Sequence, residues 1–283
     1  MKPATFHYQR MASLAEVTEQ LTQHGAEARI LAGGQSLMAA LNMRFAQPEY
    51  LLDISTTPDL QTTRLDRQHL VIGAACTQAS IEWRPDLAAE VPLLKLAFPY
   101  ISHFQIRNRG TVCGSIAHAD PSAELPLCLA TLGGDVVLAS AKNERTLKAD
   151  DFFIGVLTTA KHEDEFIKAV RFPLDDGKSG YAFQEFSRRH GDFAVAACAV
   201  VINDQGLRLG VGGISDRPEV LTLPLAEISA IEDALNDFVW SLDVNADAHA
   251  SAPYRRNLIR ALGRQAVADA QARRALIIAK ETA

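Results

Sequence analysis

The stretch LAGGQSLMAALNMRFAQPEYLLDI, residues 31–54, places a glycine pair between two kinds of apolar pattern. Residues 29–32 are short and apolar enough for a strand. Gly33 and Gly34 make a turn, residues 36–44 follow helical spacing, and residues 50–54, after Pro48, read as a second strand. A helix that starts at such a turn points its first amides and the positive end of its dipole at whatever sits there. Glycines let a ligand come close to the main chain. Taken alone, the pair fits a plain strand–helix turn equally well, because short glycine turns are common.

Upstream, Ser13-Leu14-Ala15-Glu16 is a capping-box pattern ahead of Val17 and Leu21, and Gly25 can end that helix. Downstream, HLVIGAAC (69–76), DVVLAS (135–140) and EFIKAVRFP (165–173) read as strands. Residues 80–97 are helical with breaks at Pro85 and Pro92, and ELPLCLATLG is a helix closed by Gly133 and Gly134. A turn at Lys142-Asn143 or Asn143-Glu144 leads into RTLKADDFF. The polar segment PLDDGKSG (173–180) reads as a linker. Beyond it, YAFQEFSRR, DFAVAACAVVIN and LRLGVGGIS are strands, the last two joined at Asp204-Gln205-Gly206. Helices are predicted over 225–240 and 253–278.

The composition bounds the function. The chain has 283 residues, 48% hydrophobic and 22% charged, enough for about two domains with a sizeable core. A net charge of -6 argues against a general nucleic-acid binder. The four cysteines, 76, 113, 128 and 198, form no C-x-x-C pair, so neither an iron–sulfur cluster, a zinc site nor a disulfide framework is expected. The N-terminal residues lack the apolar core of a signal peptide, and no run approaches the ~18 apolar residues of a membrane span, so the expected location is cytoplasmic.

Two other glycine-bearing stretches fail as nucleotide motifs. DDGKSG ends like a phosphate loop, but Phe172 stands where the leading glycine is required. GVGGIS (210–215) puts Ser215 at the third glycine of a dinucleotide fingerprint and opens no long helix, so a bulged or tightly packed strand is expected. The stretch QIRNRGTVCGSIAHADPSAELP (105–126) is richer. Gly110 and Gly114 flank Thr111-Val112-Cys113, Thr111 and Ser115 offer hydroxyls, and Glu124 can accept hydrogen bonds from sugar hydroxyls. A metal site at Cys113, His118 and Asp120, or a Cys–His nucleophilic pair, stands beside the ligand-cradle reading, although the spacing matches no closed zinc pattern.

Residues 32–54 and 105–126, together with FSRRHGDFAVAACAVVI (186–202), resemble the FAD-binding medium subunit of molybdenum hydroxylases, the xanthine dehydrogenase and carbon monoxide dehydrogenase family. The resemblance runs over essentially the whole chain. It implies an α+β protein with the two-subdomain FAD-binding fold of the vanillyl-alcohol-oxidase and xanthine-dehydrogenase type. The subdomains would be 1–55 and 56–175, followed by a C-terminal α+β domain, an antiparallel sheet with helices, over 176–283.

The flavin would lie between the subdomains. Leu31, Ala32, Gly33, Gly34, Gln35, Ser36 and Leu37 would hold the pyrophosphate through main-chain amides. Thr111, Val112, Cys113, Gly114 and Ser115 would hold the other side, and Glu124 would bind a ribityl or ribose hydroxyl. Ile101, Ile167 and Gln184 are expected beside the flavin, and Phe193 near its isoalloxazine ring. Cys113 stands where the family commonly has glycine, so a positive φ there would be strained. Gln35 stands where some relatives carry histidine. The chain has no cysteine-rich insertion of the benzoyl-CoA reductase branch.

The implied function is electron transfer. A large subunit would oxidise substrate, such as an N-heterocycle or purine, at a molybdenum cofactor. A small subunit would carry two [2Fe-2S] clusters, and FAD in this chain would relay electrons to NAD, oxygen, a quinone or a cytochrome. The assembly expected is a dimer of heterotrimers. No catalytic acid, base or nucleophile of its own is expected, since the cofactor supplies the chemistry. Two alternatives stand: a self-contained flavin oxidase or dehydrogenase of the same fold, and a non-catalytic binding protein that retains it.

Overall fold

The computed structural model describes residues 2–281. Its first sheet contains β1 (His7–Arg10), β2 (Ala28–Leu31) and β3 (Tyr50–Asp53), all parallel, in the order β1-β3-β2. The crossovers are α1 (Leu14–His24) and α2 (Gln35–Asn42). The predicted box starts α1: the Ser13 hydroxyl accepts the Glu16 N–H, and Glu16 Oε2 accepts the Ala12 N–H at 2.6 Å. α2 begins one residue before the predicted Ser36 and stops short of Arg44, whose φ of 61° leaves the helix. The strand β1, HYQR, is largely exposed and has no apolar alternation to announce it.

The second sheet is antiparallel. It is built from β4 (Thr63–Asp66), β5 (His69–Gly73), β6 (Asp135–Ala139), β7 (Glu144–Lys148) and, after a ribbon of β8 (Phe153–Gly155) and β9 (Thr158–Thr159), β10 (Phe166–Pro173). The order β4-β5-β10-β6-β7 puts β10 in the middle, as its apolar run requires. Between β5 and β6 lie α3 (Gln78–Glu82), α4 (Leu87–Glu90), α5 (Pro92–Ala97), α6 (Phe104–Arg107), α7 (Val112–His118) and α8 (Glu124–Leu132), and α9 (Ala149–Phe152) follows β7. The prolines break residues 78–97 into three short helices, as expected, with Pro92 in the first turn of α5.

The third sheet is an antiparallel meander of β11 (Gly180–Phe186), β12 (Ala196–Asn203), β13 (Gly206–Gly212) and β14 (Glu219–Leu223). α10 (Ile231–Ser241) and α11 (Ala252–Glu281) cover one face, and α5 and α8 pack on the other. This explains the unbroken apolar run of β12. Ala196, Cys198, Val200 and Ile202 enter the core under α10 and α11, whereas Ala197, Ala199 and Val201 join the core shared with the first two sheets. β12 starts at Ala196 rather than at Asp192, because the Val195 N–H donates to Phe186 O at 2.8 Å and closes a loop. The glycines at 210–213 belong to close packing. A Cβ at Gly210 would stand 2.0 Å from Thr131 Oγ1 on α8.

Candidate functional site

The two glycine-bearing stretches, far apart in the chain, touch. A Cβ at Gly33 would stand 2.3 Å from the Arg109 carbonyl oxygen and 2.7 Å from Gly110 Cα. Gly34, at φ 73° and ψ 1°, is the N-cap of α2 and offers no side chain to cap it. The first-turn amides of α2, from Gln35 onward, therefore point out of the C-terminal edge of a parallel sheet, where open α/β structures bind ligands. Gln35 Nε2 donates to Gly33 O at 3.2 Å, which stiffens the turn. Leu31 and Leu37 are half-buried, Ser36 is exposed, and Ala32 packs on the central core.

The second stretch is a helix start rather than an open turn. Thr111 is the N-cap of α7, and its hydroxyl oxygen accepts the Gly114 N–H at 2.9 Å. A Cβ at Gly114 would stand 2.5 Å from that oxygen. Ser115 is half-buried and Val112 buried. The Gly110 carbonyl accepts the Gln78 N–H at 2.7 Å, and Gln78 Oε1 is buried beside Gly110 with no partner. Neither Gln78 nor Gly110 was among the expected ligands, though Gly110 stands in the quoted motif.

Cys113 is helical, so its side chain costs no backbone strain. It turns inward, with Sγ donating to Ile72 O at 3.4 Å. Burial first, and the neighbouring Cys76 second, push this thiol far above the ordinary range. A neutral thiol locked in the core is no nucleophile.

Glu124, the first residue of α8, is 8% exposed. Burial chiefly, and Asp120 in addition, push its carboxyl up to about 7, against the pull of its own N–H and of Arg107. On β11, Tyr181 and Phe183 face the central core, and Phe183 packs on Tyr100 with ring centroids 5.2 Å apart. Alternation puts Glu185 on that same face and Gln184 on the other. Gln184 Nε2 accordingly donates to Asp269 on α11 at 2.8 Å, away from the glycine turns. Glu185, which the sequence reading passed over, takes the inward side. Its Oε2 is buried without a partner, and burial together with the charge of Glu124 pushes its carboxyl up to about 8.

Ile101 and Ile167 are buried in the same core cluster as Val112 and Cys113. The Ile101 carbonyl accepts from Arg107 Nη1 at 2.7 Å, and Arg107 is paired with Glu82, so residues 101–107 are braced. Phe193 is 70% exposed. Its loop leans on that braced segment, since a Cβ at Gly191 would stand 2.6 Å from His103 Cε1.

The arrangement suits an anionic group at the turns: an uncapped helix start at Gly34 and main chain too close for any Cβ at Gly33. The comparisons agree. The family described as the FAD binding domain in molybdopterin dehydrogenase matches residues 4–175. The chain is 35% identical to the nicotine 6-hydroxylase medium subunit of Paenarthrobacter nicotinovorans, covering 96% of this chain and 100% of that one. It is 32% identical to the carbon monoxide dehydrogenase medium chain of Afipia carboxidovorans, covering 96% and 99%. Among solved structures it superposes on reconstituted CO dehydrogenase from Oligotropha carboxidovorans with a TM-score of 0.91, at 31% identity and 96% and 100% coverage. Quinoline 2-oxidoreductase from Pseudomonas putida 86 gives 0.88, at 30% identity and 95% and 98% coverage. The chain belongs to the FAD-binding medium subunits of the molybdenum hydroxylases and is the flavin-carrying part of an oxidoreductase.

Proposed function

We propose that this chain is the electron outlet of a heterotrimeric molybdenum hydroxylase, assembled as a dimer of heterotrimers in the cytoplasm. Bound FAD supplies the redox chemistry, taking electrons from the [2Fe-2S] clusters of a small subunit and passing them to an external acceptor. The chain's own residues bind and orient. The amides of Ala32, Gly33, Gly34, Gln35 and Ser36, flanked by Leu31 and Leu37, hold the pyrophosphate. Thr111, Val112, Cys113, Gly114 and Ser115 line it from the other side, where the Cys113 N–H is offered to it because the Val112, Gly114 and Ser115 N–H groups are held by Cys76 O, Thr111 Oγ1 and Thr111 O. Glu124 accepts a hydrogen bond from a sugar or ribityl hydroxyl. Ile101 and Ile167 form the apolar floor that excludes water, and Phe193 covers the exposed edge.

The contact between Gly33 and Gly110 carries this reading, because it turns two separate glycine stretches into one cradle. The large subunit oxidises the substrate, and we take this to be an aromatic N-heterocycle, supported by the relatives named for nicotine and quinoline. The test is purification of the chain, an absorption spectrum and titration with FAD. A colourless chain that binds no added FAD overturns the flavin role. Isolation together with molybdenum- and iron-containing chains supports the assembly, whereas oxidation of an organic substrate by this chain alone overturns the subunit role.

A further inference from the structure

The second glycine stretch is held from behind by α3. The Gln78 N–H donates to Gly110 O at 2.7 Å, the Val112 N–H donates to Cys76 O at 3.2 Å, and Thr77 pairs antiparallel with Thr111 between them. Thr77 is also the N-cap of α3, where its hydroxyl accepts the Ser80 N–H at 3.1 Å. Four residues after Gln78, and so on the same face of the helix, Glu82 takes Arg107 in a two-pronged ion pair, with Nε at 2.7 Å and Nη2 at 2.9 Å. Gln78 and Glu82 thus grip the two ends of residues 107–110, and the position of Gln78 beside the glycine turns is fixed before any ligand arrives.

The side chain of Gln78 goes to the same place as its main chain. A Cβ at Gly110 would stand 3.2 Å from Gln78 Oε1, and a Cβ at Gly33 would stand 2.7 Å from Gly110 Cα, so this oxygen lies one residue away from the contact between the two turns. Gln78 is 6% exposed, and Oε1 is buried with no hydrogen-bond partner. The donors around it are committed elsewhere. The Arg109 and Gly110 N–H groups go to Ile106 O. Arg107 is occupied by Glu82 and by the Ile101 and Ser102 carbonyls. The Gly114 N–H goes to Thr111 Oγ1. Space filling accounts for the stem of Gln78 and not for its amide. A methionine would fill the position without stranding an oxygen, and native structures satisfy buried polar atoms.

We propose that Gln78 is a further binding residue for FAD, an assignment that rests on the reading of the glycine turns above, and that its Oε1 accepts a hydrogen bond from a sugar hydroxyl adjoining the pyrophosphate. The chemistry of the unpartnered atom selects this group. A carboxamide oxygen is an acceptor. The pyrophosphate is ionised at neutral pH and offers no proton, whereas the ribityl and ribose hydroxyls on its two sides do. The first-turn amides of α2 and the Cys113 N–H supply the donors that the anion needs, and Gln78 supplies an acceptor for the neighbouring sugar. The last torsion of a glutamine is soft, so the carboxamide turns to a bound hydroxyl at little cost. Binding and packing roles predict different outcomes for the chain freed of flavin. An orphaned buried oxygen destabilises the empty fold, so an apolar side chain of equal length relieves it, while the same change removes the contact to the ligand.

The test is urea denaturation of the full-length chain freed of flavin, together with FAD titration read by quenching of flavin fluorescence. Gln78→Met should keep or raise the urea midpoint and weaken FAD binding about tenfold. Gln23→Met, exposed on α1, should change neither. Unchanged FAD affinity in Gln78→Met, or a fall in affinity matched by a fall in the urea midpoint, overturns the proposal. Competition with ADP, which carries only the ribose, and with FMN, which carries only the ribityl chain, tells which sugar donates. The variant should lose its hold on one of these fragments, and an equal loss of both marks general damage to the cradle and overturns the contact. If the wild type binds no FAD, the flavin reading has failed instead, and direct titrations with ADP and FMN decide Gln78 alone. Loss of one of them in Gln78→Met with the urea midpoint kept upholds the hydroxyl contact, and equal binding or no binding overturns it.

Discussion

Gly33 lies so close to Gly110 that a Cβ on the former would meet the latter's Cα at 2.7 Å, with the Arg109 carbonyl oxygen nearer still. The obstructing atoms are main chain, so neither turn can give way by changing a rotamer. Gly33→Ala is expected to lose about 1–3 kcal/mol of stability, as overpacking does. It should also weaken FAD binding at least tenfold by prising the cradle open. Gly155→Ala is the control, because a Cβ there meets nothing within 4 Å. Denaturant titration and FAD titration of both variants check this.

Cys113 packs inside α7, so its replacement tests packing rather than chemistry. Cys113→Ala should keep full FAD occupancy. Cys113→Gly, which the family pattern alone would favour, should cost about 1 kcal/mol or more, chiefly because it empties a buried side-chain position and adds glycine's poor helix propensity. In the native chain the thiol should resist alkylation until the protein unfolds. Mass spectrometry after iodoacetamide treatment, with flavin content measured in parallel, decides the matter.

Stability of the chain freed of cofactor should fall as pH rises. The carboxyls of Glu124 and Glu185 have an ordinary value of 4.5 and are held up to about 7 and about 8 in the folded chain. The folded state therefore binds more protons than the unfolded state from about pH 4.5 upward. The stabilisation is complete below that point and is lost as pH passes through 7 and 8. Between pH 6 and 9 the loss should be on the order of 4 kcal/mol. Urea midpoints across this range should show it, and the double glutamine variant should flatten most of the slope.

Arg255 on α11 ties the loop that carries Phe193 to the sheet. Its Nη1 donates to Val195 O at 2.6 Å and also to Gly213 O, and its Nη2 pairs with Asp247. Arg255→Met leaves two carbonyls and a carboxylate without their donor and should cost about 2–4 kcal/mol. Faster hydrogen exchange at residues 193–196 would accompany it. Asp247 resists burial through the His249 and Ala250 N–H groups and Arg255, which hold its carboxyl down at about 2. The tie should therefore be indifferent to pH above about 4 and loosen only as pH falls towards 2.

Much of the fold around the glycine turns was legible because it depends on short-range chemistry. The Ser13 cap, the strand–glycine–helix unit at residues 31–42 and the apolar run of β12 are local patterns with local causes. The start of α7 was half legible. Thr111 and the glycines stand in the motif, but a threonine cap and an open turn look alike until the hydrogen bond to the Gly114 N–H is seen. Glu185 was not legible. In YAFQEF both faces of the strand are buried, so alternation says that Gln184 and Glu185 point apart without saying which one faces the central core.

The sequence by itself determined most of the longer elements, the glycine stretches and the family, since each is written in neighbouring residues. Tertiary structure alone decided that Gly33 meets Gly110, that the Cys113 thiol points into the core and that Glu185 rather than Gln184 takes the inward face of β11. Those outcomes depend on how distant segments pack and on which of two apolar strand faces meets which core, and no local pattern encodes either.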